Sequence, residues 1–302
     1  MEGLAGVTRK ALLMLVCVMC WQQACRAGQC FDVGQLADWG IANSQLTEAR
    51  KMFLSSSRRE RARLFEDKSV RCELVKGPPE AYAGTFNFRD IGGKIGLDGS
   101  VVRTGLLFRS ARFDDIAEEG RAGIVGGLGV RTDLDLRHAG EVNHLGGESP
   151  LGKNVRWVHR TMCAYDAIDT REGRALTREA LKVVFDKSGW PLAFHCKTGK
   201  DRTGTIAFLV LALLGVDEEV ICIDWELTAF CVPEIERMSH PPRYDKMLAC
   251  VNAMPGKSLT DKVEGYVYSL GFSHAQIESF RKAMLGPGKR ANGASLRQVS
   301  SP

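Results

Sequence analysis

One cysteine in the second half of the chain is surrounded by charged residues. The string FHCKTGKDRTG, residues 194–204, places Cys196 next to His195 and follows it with two lysines, an aspartate and an arginine. A thiol among cations at a helix N-terminus is favoured as the thiolate, which is the nucleophilic form. A nucleophilic thiolate inside an anion pocket makes chemical sense when the bound anion is what it attacks. The pattern therefore indicates phosphate transfer through a cysteinyl-phosphate intermediate.

The residues on either side of this cysteine predict a strand, a loop and a helix. The apolar string PLAFHC, residues 191–196, predicts a short buried strand, and residues 203–216 predict a helix that is apolar nearly all round and therefore central. Loop amides and a helix N-terminus bind anions, and arginine offers a planar fork for two phosphate oxygens. We predict Cys196 as nucleophile and a phosphate site made of Lys197, Thr198, Gly199, Lys200, Asp201, Arg202 and Thr203.

Individual residues of the loop have separate predicted roles. Gly199 permits the tight backbone path, and Thr203 is expected to hydrogen-bond the sulfur and ease its departure. Adjacent residues on a strand point to opposite faces, so His195 is expected to order the loop rather than to act as a base for Cys196. The same argument disfavours a Cys–His protease. A nucleotide-binding Walker loop fails because Phe194 stands where its first glycine is required.

Patterns along the rest of the chain predict alternating strands and helices. The predicted strands are 85–93, 101–111, 130–137, 154–162 and 191–196, and the predicted helices are 117–129, 177–189, 203–216, 217–230, 243–254, 259–270 and 273–285. This alternation predicts an α/β domain with a central, mostly parallel sheet flanked by helices, followed by a helical C-terminal part.

The N-terminus has the features of a targeting segment. Arg9 and Lys10 precede the apolar run 11–21, and small residues lead up to Ala27. This is typical of a secretory signal peptide over residues 1–27, with an uncleaved anchor as the alternative, because the run is short for a membrane span. We therefore expect an exported protein, periplasmic or secreted, without stable membrane insertion after cleavage.

Three further segments follow the leader. Residues 28–80 are polar, and their basic stretch 46–68 predicts one solvated helix. Residues 81–286 form the predicted catalytic domain, and residues 287–302 lack apolar periodicity and are expected to be a disordered tail.

The composition excludes several classes of function. The chain has 302 residues with 44% hydrophobic and 25% charged residues, which is ordinary for a globular protein. Its net charge of +5 comes without a clustered basic stripe, so a nucleic-acid partner is not expected. The cysteines downstream of the leader contain no CxxC pair, so no metal site is expected, and we predict no cofactor.

Longer motifs around these residues resemble a known family. Cys196 and Arg202, with five residues between them, are similar to the signature of the protein tyrosine phosphatase superfamily, and HCKTGKDRTG resembles the loop of its bacterial tyrosine/serine phosphatase family. Further stretches that resemble this family are NFRDIGG (87–93), RTGLLFRSA (103–111), DLRHAGE (135–141), DWELT (224–228) and residues 266–285. The resemblance runs from about residue 82 to residue 285.

The resemblance implies a fold, an activity and further site residues. It implies a phosphatase-like sheet and hydrolysis of phosphotyrosine, with phosphoserine or phosphothreonine as further substrates. Asp166 is the best match to the family's general acid, followed by Asp169 and Asp201, although no proline precedes Asp166. Asp135 and Arg137 are expected to pair with the N-terminal motif 87–93 and so hold the fold.

Other functions are also compatible with these residues. The pair Lys200 and Asp201 matches residues that the family associates with phosphoinositides, so a lipid phosphatase is the main alternative. An arsenate reductase and a phosphate-binding module without catalysis are remote alternatives.

Overall fold

The computed structural model describes residues 31–39, 41, 46–74, 84–230 and 244–287. The predicted signal peptide, the linker at 76–80 and nearly all of the predicted tail lie outside these residues. The strands are β1 (Arg89–Asp90), β2 (Val101–Val102), β3 (Leu107–Ser110), β4 (Thr132–Asp135), β5 (Arg156–His159), β6 (Leu192–His195) and β7 (Leu285–Gly286).

The α-helices are distributed over the whole described chain. They are α1 (Glu48–Ser55), α2 (Arg58–Glu66), α3 (Lys68–Leu74), α4 (Glu118–Arg121), α5 (Ala139–Val142), α6 (Arg171–Phe185), α7 (Asp201–Leu213), α8 (Glu218–Glu226), α9 (Tyr244–Asn252), α10 (Leu259–Ser269) and α11 (His274–Met284). Short 3-10 turns include Val33–Trp39, Tyr165–Asp169 and Leu227–Phe230. Within the described residues, no helix is long and apolar enough to cross a membrane.

The central sheet has five strands in the order β1-β3-β6-β4-β5. Strands β3, β6, β4 and β5 run parallel, and only β1 is antiparallel to its neighbour. The predicted mostly parallel α/β fold is confirmed. The register aligns Ser110, His195, Asp135 and His159 in one row at the carboxyl edge of the sheet, so Cys196 emerges at the edge where α/β folds bind their ligands.

Helix α7 packs in the centre of the molecule, as its apolar sequence predicts. Every residue from Thr203 to Leu213 is buried, and strand β6, which leads to Cys196, is buried along its whole length. A second apolar cluster, which includes Phe88, Phe108 and Phe113, also packs against the sheet. The strand and the helix on either side of the cysteine loop are therefore both anchored in the hydrophobic core.

Several predicted elements are divided or shorter than their sequence patterns. The predicted strand 101–111 is divided into β2 and β3, because Gly105 between them has a φ of 76° and interrupts the extended chain. The predicted strand 85–93 is reduced to β1, because Asn87 has a φ of 59° and cannot continue an extended chain. The predicted helix 117–129 is α-helical only in α4 and continues as a π-helical turn over Ala122–Gly127, where three of the six residues are glycines.

The N-terminal segment differs most from its prediction. The single helix predicted over 46–68 is wrong, because Thr47 and Ser57 each cap the start of a separate helix, α1 and α2. The expectation that this region is only a solvated surface is also wrong. Arg61 is fully buried, and the side chains of Phe53 and Phe65 join a cluster that contains Phe230 of the segment 81–286.

Candidate active site

Cys196 lies at the junction of the sheet and the central helix. It follows β6 directly and is buried, while the loop after it leads into α7 at Asp201. The first bond of this helix runs from the N–H of Gly204 to the carbonyl of Lys200 at 3.0 Å. The N–H groups at the start of a helix have no partner within that helix, and they carry partial positive charge. The thiol therefore sits at the positive end of α7.

The loop can take its path only with a glycine at position 199. Gly199 has a φ of +67°, and a β-carbon at this position would lie 2.5 Å from the carbonyl oxygen of Ser110 at the end of β3. Both the backbone angle and the lack of space exclude a side chain. The predicted role of this glycine is confirmed.

Three donors hold the backbone carbonyls of the loop from outside. The side chain of Asn87 donates to the carbonyl of Thr198 at 3.1 Å, Arg109 donates to that of Gly199 at 2.9 Å, and the N–H of Arg112 donates to that of Lys197 at 3.3 Å. In a planar trans peptide the N–H points opposite to the C=O. With the carbonyls bound outside, the following N–H groups turn toward the centre of the loop, where an anion would bind.

Asp224 on α8 holds this outer layer of donors together. Its carboxylate is buried and accepts from Arg89 at 3.2 Å and from Arg109 at 2.5 Å, with the ammonium of Lys94 at 3.4 Å. Burial by itself raises the pKa of this carboxyl, but the three cations outweigh it and hold the pKa well below its ordinary value. Burial and the charge of Arg89 lower the pKa of Arg109 to about 10, so Arg109 stays charged at neutral pH.

Arg202 is paired with a carboxylate that the sequence analysis did not assign to the site. Its two terminal nitrogens donate to Glu141 at 2.5 and 3.1 Å in a bidentate arrangement. This bonding lowers the pKa of Glu141 to about 2, and the backbone N–H of His138 contributes to the shift. Glu141 is the last residue of the motif DLRHAGE, so the sequence offered a reason to consider it. Nothing in the sequence indicated that it lies beside Arg202.

His195 is enclosed beneath the loop. One ring nitrogen lies 3.3 Å from the carbonyl oxygen of Cys196. The other is 2.8 Å from a carboxylate oxygen of Asp133, and the two form an ion pair when the ring is protonated. Burial by itself lowers the pKa of His195, but Asp135 and Asp133 raise it to about 9. His195 thus contacts the backbone of the loop, in line with its predicted role in ordering the loop.

The candidate acid residues lie on a turn beside the loop. Asp166 is exposed in the turn Tyr165–Asp169, and its carboxylate bonds to no residue in the described part of the chain. The preceding residue, Tyr165, donates its hydroxyl to Asp201 at the start of α7. Asp169 is 2.7 Å from Arg174 and so is paired away from the loop. Asp166 therefore follows a residue that contacts Asp201, at the end of the loop after Cys196.

Two predicted contacts are wrong. The hydroxyl of Thr203 is buried without a hydrogen-bond partner among the described residues, so the predicted bond to the sulfur of Cys196 is not formed. Arg137 pairs with Asp135 and with Asp114, at 2.7 Å in each case, instead of with the motif 87–93. That motif is held by Asp224 instead, because its own arginine, Arg89, lies 3.2 Å from this buried carboxylate.

The two lysines of the loop have different surroundings. Lys197 is exposed, whereas Lys200 is buried and its ammonium lies 3.6 Å from a carboxylate oxygen of Asp201. Lys200 thus adds a buried cation close to the partly buried Arg202.

Comparisons with known proteins agree with this geometry. A model of the tyrosine phosphatase family matches residues 81–286. The triple specificity protein phosphatase PtpB of Mycobacterium tuberculosis is 27% identical over 276 residues, which cover 67% of this chain and 98% of that protein.

Solved structures give weaker matches. TpbA of P. aeruginosa is 19% identical with a TM-score of 0.36, and the match covers 58% of this chain and 91% of TpbA. The catalytic domain of the PP-IP phosphatase SIW14 of S. cerevisiae is 18% identical with a TM-score of 0.31, and the match covers 49% of this chain and 88% of that domain.

Proposed function

The chain belongs to the tyrosine phosphatase family and is a cysteine-dependent phosphatase, and from this premise we propose how its own residues carry the reaction. The observation that carries the proposal is the thiol of Cys196 at the positive end of α7, in a loop whose carbonyls are tied outward. In this setting Cys196 is the nucleophile, and the loop amides with Arg202 bind the phosphate.

Arg202 contributes orientation as well as charge. Glu141 occupies the edge of the guanidinium formed by the two terminal nitrogens. The other edge, formed by Nε and one terminal nitrogen, then remains for two phosphate oxygens, because arginine has five donors in one plane. Glu141 thereby holds Arg202 in position before substrate arrives.

The reaction proceeds in two displacements at phosphorus. The sulfur of Cys196 attacks, an S–P bond forms, the P–O bond to the leaving group breaks, and Asp166 gives its proton to the departing oxygen. Water then attacks the cysteinyl phosphate and returns a proton to Asp166, and the S–P bond breaks to release inorganic phosphate. Asp169, which pairs with Arg174, and Asp201, which accepts from Tyr165, are the alternative candidates for the acid.

The proposed substrates are phosphorylated proteins. Phosphotyrosine is the first candidate, and phosphoserine and phosphothreonine follow, in line with a relative that is named a triple specificity protein phosphatase. A phosphoinositide is the second candidate, and the buried ammonium of Lys200 favours it, since a second cation on the loop suits a ligand with several phosphates.

We also propose that the protein is exported. The support is the sequence of residues 1–27, which lie outside the described residues. N-terminal sequencing of protein recovered from the producing cells is expected to begin after Ala27, and a start at Met1 would contradict the proposal.

The test of the mechanism compares the wild type with Cys196→Ser, both with EDTA present. Wild-type activity on phosphotyrosine peptide is expected to survive EDTA, and Cys196→Ser is expected to lose it entirely. Parallel assays on phosphothreonine peptide and phosphoinositide give the substrate order, and Asp166→Asn, Asp169→Asn and Asp201→Asn compare the three acids. Activity retained in Cys196→Ser would overturn the mechanism.

A further inference from the structure

Tyr165 has a backbone conformation that an aromatic residue rarely adopts. Its φ is 58°, in the left-handed region, where a side chain with a β-carbon is disfavoured. Residues in such conformations persist only where the surroundings hold them, and they concentrate at functional sites. The conformation of Tyr165 is therefore maintained by contacts of its backbone and side chain.

Several contacts hold Tyr165 against the start of α7. Its backbone N–H donates to the hydroxyl of Thr205 at 3.2 Å, and that hydroxyl donates to the backbone carbonyl of Asp201 at 2.9 Å. Its ring packs beside Trp225, with ring centroids 6.0 Å apart. The backbone and the ring of Tyr165 are thus fixed independently of its hydroxyl.

The hydroxyl of Tyr165 reaches the carboxylate of Asp201. It donates to one carboxylate oxygen, and the ammonium of Lys200 lies 3.6 Å from the same oxygen. Asp201 is therefore held from one side by a neutral donor and from another by a cation.

The position of the Asp201 carboxylate affects how well the loop can bind an anion. Asp201 is an acid within a loop that has to bind a phosphate dianion, and like charges repel more strongly at a partly buried site than in water. A carboxylate fixed at the edge of the loop interferes less with the phosphate than one free to turn inward. The same contact joins the turn that carries Asp166 to the loop that carries Cys196.

We propose that Tyr165 is a positioning residue that clamps the carboxylate of Asp201 away from the phosphate. This proposal rests on the proposed function and adds a specific element to it. Its direct consequence is that the Tyr165 hydroxyl matters for phosphate binding only while position 201 carries a negative charge.

A double-mutant cycle between Tyr165 and Asp201 tests the clamp. Wild type, Tyr165→Phe, Asp201→Asn and the double variant are compared for kcat and KM on p-nitrophenyl phosphate and for inhibition by inorganic phosphate. Phenylalanine keeps the ring and its packing on Trp225, so the fold is expected to be retained. Tyr165→Phe is expected to raise KM and the inhibition constant of phosphate about tenfold, with a smaller change in kcat. In the Asp201→Asn background the same substitution is expected to change neither.

The matched control is Tyr268→Phe, which removes an exposed hydroxyl that donates to Glu264 on α10. It is expected to behave as wild type. An unchanged KM in Tyr165→Phe, or the same rise in KM with and without Asp201, would overturn the clamp. Because Cys196→Ser tests the nucleophile separately, an inactive Cys196→Ser beside an unaffected Tyr165→Phe would reject the clamp and leave the mechanism standing.

Discussion

At the scale of single residues, the site depends on charges that are already paired before a ligand arrives. Arg202 is bound by Glu141, Arg109 by Asp224, and His195 is enclosed by two carboxylates. Pairing keeps each cation in one orientation and reduces the rearrangement needed when phosphate binds. The attraction within each pair offsets the free-energy cost of burying these charges. The N–H groups of the loop remain to bind the substrate.

Replacing Glu141 by glutamine tests whether this pairing orients Arg202. Glutamine keeps an acceptor for the N–H of His138 but loses the charge and the bidentate geometry. Hydrogen bonds to charged groups contribute about 1.5–3 kcal/mol, so kcat/KM is expected to fall about tenfold or more. Steady-state kinetics on phosphotyrosine peptide measure it, with the exposed Glu148→Gln as control. A lower KM in Glu141→Gln would mean that Glu141 competes with phosphate instead of orienting the arginine.

At the scale of elements, the loop between Cys196 and Arg202 is shaped by the strand next to it. The end of β3 lies directly against Gly199, and Asn87 and Arg109, from the segment before β1 and from β3, hold the loop carbonyls. The parallel register of β3 and β6 brings these groups to one edge of the sheet. The path of the loop is therefore set by contacts with its neighbouring elements.

Substitution of Gly199 by alanine tests whether activity depends on the close contact between the loop and β3. The comparison with another glycine of positive φ separates this contact from the backbone strain that alanine causes at any such position. The new β-carbon would collide with the carbonyl of Ser110, so the loop must shift, and kcat is expected to fall about 100-fold. Gly105→Ala is the matched control, because Gly105 also has a positive φ, of 76°, but its β-carbon would meet nothing within 4 Å. The control is expected to lose about 1 kcal/mol of stability in urea unfolding and to keep its kcat.

Equal kcat values for these two alanine variants would contradict the close contact between the loop and β3.

At the scale of the whole molecule, the N-terminal helices are part of the structure that supports the site. Arg61 of α2 donates to Glu226 and, at 2.7 Å, to Glu219, and both acids lie on α8, the helix that carries Asp224. Lys94, one of the three cations around Asp224, has its ammonium 4.3 Å from the ring centroid of Trp39. Burial raises the pKa of Glu226 to about 6, although Arg61 opposes the shift.

Replacing Arg61 by methionine tests this attachment. Methionine occupies similar space but leaves Glu226 buried without its partner, which costs about 3–5 kcal/mol of unfolding free energy at pH 8. The loss is expected to be smaller at pH 5, because Glu226 is then protonated and no unpaired charge remains. Urea unfolding at both pH values measures it. The exposed Arg59→Met on the same helix is expected to change stability by less than about 0.5 kcal/mol.

An equally small effect of Arg61→Met would show that α2 is not held against α8 in solution.

The sequence alone was enough to predict the nucleophilic cysteine and the strand, loop and helix around it. The charge around Cys196, the apolar strand before it and the apolar helix after it are local patterns, and each predicts a structure without reference to the rest of the chain. For the same reason the mostly parallel sheet, the need for Gly199 and the ordering role of His195 could be predicted. Local preference and tertiary packing agree at these positions.

The tertiary structure decided which residues meet the loop. Arg89 and Asp224 are 135 residues apart, Arg202 and Glu141 are 61 apart, and Tyr165 and Asp201 are 36 apart. Neither periodicity nor composition can select such partners, because an arginine has many acids available and only the register of strands and helices brings one of them within bonding distance. Burial then makes the pairing specific, because a charged side chain removed from water is stabilised only by the few polar groups in contact with it.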